Sequence, residues 1–95
     1  MNKKLMIRRA IVQTLYTYYC PQNLNTILCA DKIIMLEADS AQLLAEWNQL
    51  KEAGYLIDVP GYPDYCRLSD ALRAKLEAGK TLNDDPFFYG PGAIR

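Results

Sequence analysis

Ninety-five residues, 51% of them apolar, fit one compact domain with a single core and leave no room for a second. No run of about eighteen apolar residues is present to span a bilayer, and Arg8 and Arg9 interrupt the apolar stretch a signal peptide would need after "MNKK", so a cytoplasmic protein with no membrane partner is expected. Three cysteines without a CxxC pair, and no histidine at all, weigh against a zinc site; Cys20, Cys29 and Cys66 read as small apolar fillers in a reducing compartment.

The formal charge is zero, but it is unevenly spread. Residues 1–20 hold Lys3, Lys4, Arg8 and Arg9 and no acid, whereas residues 21–60 hold two lysines against six carboxylates, a net of −4. Where the cations sit decides whether a polyanion is a possible partner, so this asymmetry matters more than the total.

In chain order, Ile7, Ala10, Ile11, Leu15 and Tyr18 recur at three- and four-residue spacings and predict a first helix over 5–19. Pro21 ends it, and Asn23 suits a turn. "NTILCADKIIM" predicts a short second helix capped by Asn25, with Ile27, Leu28, Ile33 and Ile34 inward; its β-branched residues leave a strand as the alternative. Asp39 with Gln42 three residues on is a capping box for a third helix, whose buried stripe is read as Leu43, Leu44, Trp47 and Leu50 and which Gly54 stops. "YLIDV" and "YCRL" around "PGYPD" predict a hairpin. Ser69 then caps a fourth helix with Ala71, Leu72 and Leu76 inward, closed by Gly79.

The predicted class is mainly α with a small β-hairpin, in the order helix, helix, helix, hairpin, helix. Here "LLAEWNQLKEAGYLID" resembles the recognition helix and first wing strand of the winged helix-turn-helix superfamily of bacterial transcriptional regulators, and "YCRLSDALRAKLEAG" resembles its second wing strand and closing helix. The likeness covers roughly residues 5–79, which divides the chain into a winged-helix domain, 1–80, and a C-terminal aromatic tail, 81–95. What the resemblance implies is a DNA-binding protein, a possible transcriptional regulator, with its third helix in the major groove of double-stranded DNA and its wing on the backbone or minor groove.

Carried onto this chain, the outward positions of the third helix are Ser40, Ala41, Gln42, Ala45, Glu46, Gln49 and Glu52. Gln42 and Gln49 suit adenine edges and Ser40 a phosphate, but no cation lies on the first three turns, and the wing offers none before Arg67. Lys3, Lys4, Arg8 and Arg9 form either a phosphate-binding arm, pooled between the two chains of a homodimer, or a solvated helix face. The competing function is a protein–protein interaction module that does not bind DNA. Candidate contact residues for it are Tyr16 and Tyr19, because Tyr16, Tyr18 and Tyr19 cannot all point inward, together with Phe87, Phe88 and Tyr89 in the tail. Those last three carry several hundred square ångströms of largely apolar surface between them, so the tail is expected to fold back on its own domain or onto a second copy, with a frayed end as the alternative. No nucleophile–base pair, phosphate loop or cofactor motif is visible, and an enzyme is not expected.

Overall fold

The computed structural model describes residues 3–18, 21–80 and 86–89. It is mainly helical with one small antiparallel sheet. Helix α1 (Lys3–Tyr18) leads into strand β1 (Gln22–Asn23), helices α2 (Leu24–Leu28), α3 (Asp31–Ile34) and α4 (Ser40–Glu52), strands β2 (Leu56–Asp58) and β3 (Tyr65–Leu68), helix α5 (Asp70–Glu77) and the single turn α6 (Pro86–Tyr89). No helix among the described residues is long and apolar enough to cross a membrane.

Helix α1 is the spine of the core. Ile7, Ala10, Ile11, Val12, Thr14 and Leu15 are buried along it, and the Thr14 hydroxyl satisfies itself on the Ala10 carbonyl at 2.7 Å. Leu43, Trp47 and Leu50 of α4 join the same cluster, with Ile27, Ile33, Leu56, Cys66, Leu68 and Leu72. Tyr18 departs from the expected inward face and is 45% exposed.

The second helix is two helices. Its N-cap is Asn23, not Asn25: the Asn23 side chain accepts from the Thr26 N–H at 2.9 Å. Ala30 then breaks it with an extended backbone. In one continuous helix Ile27 and Ile33 would lie about 120° apart around the axis. The break re-aims α3, so that Ile27, Ala30 and Ile33 are all buried while Ile34 is left outside. Gln22 and Asn23, read as a turn, pair with Cys66 and Tyr65, giving the strand order β1-β3-β2. Two residues are too few for any alternation to be read from sequence.

Helix α4 has the capping box in full: Gln42 N–H donates to Asp39 at 2.7 Å, and Asp39 N–H to the Gln42 side chain at 3.1 Å. At its other end Gly54 sits at φ +85° with open space where a Cβ would go, so the backbone angle, not crowding, calls for glycine there. "PGYPD" resolves into two successive turns. Tyr62 N–H donates to the Val59 carbonyl and Tyr65 N–H to that of Tyr62. Each has proline second and a positive-φ residue third, Gly61 at +82° and Asp64 at +70°, the type II pattern. Ser69 caps α5 through the Leu72 N–H. There Leu72 is buried and Leu76 half-buried, whereas Ala71, expected inward, is exposed. The tail, where no periodicity is legible, contains α6 packed on α1.

Candidate functional site

The buried stripe of α4 differs from the expected one by an exchange. Leu44 is 45% exposed, and Glu46, assigned to the outward face, is 4% exposed. Positions 43, 46, 47 and 50 form an unbroken i, i+3, i+4, i+7 face, so the periodicity was present in the sequence; ranking by polarity obscured it. A carboxylate tolerates that position only with a partner. Arg8 supplies it, its Nε donating to Glu46 Oε1 at 2.8 Å.

The same guanidinium holds the tail. Arg8 Nη1 donates to the Phe87 carbonyl at 2.9 Å, and the Arg8 Cζ lies 4.2 Å from the centre of the Phe87 ring. Arg9 donates to the Phe88 carbonyl at 3.2 Å. Phe88 is fully buried, and both phenylalanine rings stand 5.1 Å from Tyr55, a favourable spacing for tilted aromatic pairs. Both arginines thus donate to carbonyls of the tail, Arg8 largely buried against Glu46 and Arg9 partly exposed. Of the proposed quartet, Lys3 and Lys4 remain exposed, with Lys3 Nζ 3.4 Å from the Glu37 carbonyl. Phe87 and Phe88, candidate partner contacts in a tail expected to fold back on its own domain or onto a second copy, do the former and pack within the molecule. The backbone of Tyr89 belongs to α6, and its side chain lies outside the described residues.

The remaining candidates scatter. Ser40, Gln42 and Gln49 are exposed, and Gln42 is engaged in the capping box. Arg67 donates to its neighbour's carbonyl at 3.1 Å and to Asp70 at 3.0 Å. Tyr16 is half-buried, with the Arg73 guanidinium 5.6 Å from its ring centre. Tyr19 and Cys20 lie outside the described residues, and among the described α1 tyrosines it is Tyr18 that is exposed. Cys29, read as a filler, is exposed. Among the described residues no group of three or more potential ligands is placed to hold a metal ion.

Beside α4 a groove of about 350 Å³ runs toward the hairpin, lined in part by Asn25, Leu44, Asn48, Lys51 and Asp64. Its charges are largely internal. Lys51 Nζ meets Asp58 at 3.1 Å; that bond raises the lysine above its ordinary range and holds the exposed Asp58 carboxyl below its own. The Cys66 thiol, at the back of this groove, is pushed up to about 11 by burial and by its hydrogen bond to Asp58. A raised thiol pKa means that the folded protein keeps a proton the unfolded chain releases, so this contribution is intact below about pH 9 and is lost as pH rises toward 11. Stability should fall by about 2 kcal/mol across that window, measured by urea titration, and Cys66→Ala should flatten the fall. An equally steep decline in the variant would place the alkaline sensitivity elsewhere.

No protein family, curated protein or solved structure was found to match this chain.

Proposed function

We propose that this chain is a winged helix that serves as a protein-interaction module and has no catalytic role. Support for the fold reading comes from the order of elements: short helices packed ahead of an exposed-faced α4, a β-hairpin beside it, and a closing helix. One observation carries the functional choice. Arg8 and Arg9, half of the basic quartet, are bound within the molecule, to Glu46 and the Phe87 carbonyl and to the Phe88 carbonyl. The outward face of α4 is left with Ser40, Gln42, Asn48 and Gln49 around Leu44, and its one lysine, Lys51, faces Asp58. DNA affinity rests mainly on cations that displace phosphate counterions, and a helix whose exposed charges are Glu52 and a Lys51 paired with Asp58, with Asp39 just before it, has little to displace them with.

The test is fluorescence anisotropy with a labelled random duplex between about 50 and 200 mM salt. Binding should be undetectable at the upper end. Any residual low-salt association should show a slope in log K against log salt well short of the roughly −4 that four free phosphate contacts would give. Tight binding at about 0.15 M salt with a slope near −4 or steeper would establish the DNA-binding reading and overturn this one.

A further inference from the structure

The groove between α4 and the hairpin holds side chains that the fold itself does not use. Its volume of about 350 Å³ lies within the roughly 300–1,000 Å³ of ligand-binding clefts. Its wall includes Leu44, an apolar side chain left 45% exposed. Beside Leu44 stand three polar groups from separate parts of the chain, Asn25 of α2, Asn48 of α4 and Asp64 of the second turn. All three are exposed, and among the described residues their side chains have no hydrogen-bond or ion-pair partner. Exposed polar groups are satisfied by water, so their number decides nothing; the sign of the field around them does.

The lining holds two charged side chains, Lys51 and Asp64. Lys51 is paired with Asp58 at 3.1 Å, which leaves the Asp64 carboxylate unbalanced, and Glu52 next to Lys51 adds another acid rather than a cation. Arg67 points to the other face of β3 from Cys66, as successive strand residues do, and is bonded to Asp70. The titrating groups of the groove report the same field. The Lys51 ammonium is favoured first by its bond to Asp58 and then also by the charge of Asp64. The Cys66 thiolate is disfavoured first by burial and then by the same two carboxylates, against the pull of Lys51. The groove therefore opposes an anion and favours a cation. A guanidinium suits it better than an ammonium: five N–H donors in one plane can serve a carboxylate and two amide oxygens at once, and weaker hydration eases entry beside Leu44. A second copy offers no free guanidinium among its described residues. Arg8 and Arg9 hold the tail, Arg67 holds Asp70, and Arg73 lies over Tyr16 beside Glu77.

We propose that the α4–hairpin groove receives an arginine side chain from an exposed segment of a partner protein, its guanidinium bonded to the Asp64 carboxylate and the Asn25 and Asn48 amide oxygens and its methylene stem on Leu44. This names the surface and the partner chemistry for the interaction function and rests on that reading.

The full chain, labelled with ¹⁵N, would be titrated with a short end-blocked Gly/Ser peptide carrying Leu-Arg-Leu at its centre. Three counterparts replace the arginine by citrulline, which keeps the shape without the charge, by lysine and by glutamate. The Asn25 and Asn48 side-chain amides, with the indole N–H of Trp47, the single tryptophan, should shift saturably with the arginine peptide and not with the glutamate one. Citrulline should bind at least about fivefold more weakly, and lysine should fall between them. Asp64→Asn should weaken arginine binding at least about fivefold with no change in the melt, because asparagine also tolerates the φ of +70° found there. Amides unmoved up to about 10 mM peptide, past the weak end of specific association, would overturn the proposal. So would equal response to the citrulline or glutamate peptide, full affinity in Asp64→Asn, or sedimentation showing self-association that Asp64→Asn removes. Duplex binding read in parallel keeps the two ideas apart: a silent groove with no DNA affinity sinks the groove alone, and DNA affinity with a responsive groove sinks the non-DNA reading alone.

Discussion

Phe88→Ala should cost about 3–5 kcal/mol, the range for emptying a fully buried aromatic site, and so consume a large share of the 5–15 kcal/mol typical of a domain. Phe88 has no exposed surface, stacks near Tyr55 and Phe87, and sits where α6 crosses α1. Urea denaturation should show the midpoint falling with the slope little changed, and truncation after Asn83 should do at least as much. Sedimentation should report the same mass before and after, because the segment is seated on its own domain. An unshifted midpoint in both variants would mean that Phe88 is not part of the core, and a lost dimer would mean that the seat belongs to another copy.

Glu46→Ala should be the second most damaging change, at about 2–4 kcal/mol. The Glu46 side chain is 5% exposed and that of Arg8 16%, so removing the acid strands a largely desolvated guanidinium, and breaking a buried pair from one side costs about 3–5 kcal/mol. The lower end applies here because Arg8 retains the Phe87 carbonyl and ring. Paired apolar replacement, Glu46→Leu with Arg8→Met, should recover much of the loss, since the desolvation penalty disappears with both charges. Recovery should be incomplete, because the Phe87 carbonyl loses its donor. A double-mutant cycle measures both quantities, and an additive result would mean that the two groups do not interact.

What was legible in the sequence is what local chemistry controls. Asp39 with Gln42, Ser69, Gly54 and the proline-bearing turns each specify a geometry within four or five residues, and each is found where those residues stand. What was not legible depends on partners far along the chain. Nothing near Glu46 says that a guanidinium 38 residues earlier waits for it, and a polarity ranking therefore placed it outside and Leu44 inside. The break at Ala30 has no side-chain cap; it follows from the need to point Ile27 and Ile33 at one core. The aromatic composition of the tail argues for docking, but only the fold reveals that Arg8 and Arg9, which the sequence leaves as either a phosphate arm or a solvated face, donate to its carbonyls. Of the candidate surface, the exposure of Ser40, Gln42 and Gln49 follows from the helical period alone.

The junction at Arg8 also bears on the order in which the molecule is completed. A residue near the start of the chain closes a contact with one 79 positions later. At ordinary elongation rates of about 5–20 residues per second, roughly 4–16 seconds pass between synthesis of its two ends. During that interval α1 and α4 can meet, but the apolar seat of Phe88 stands open and the guanidinium lacks one of its acceptors. The nascent domain therefore carries a sticky aromatic cleft until α6 has emerged, and that waiting period is when a chaperone has something to hold.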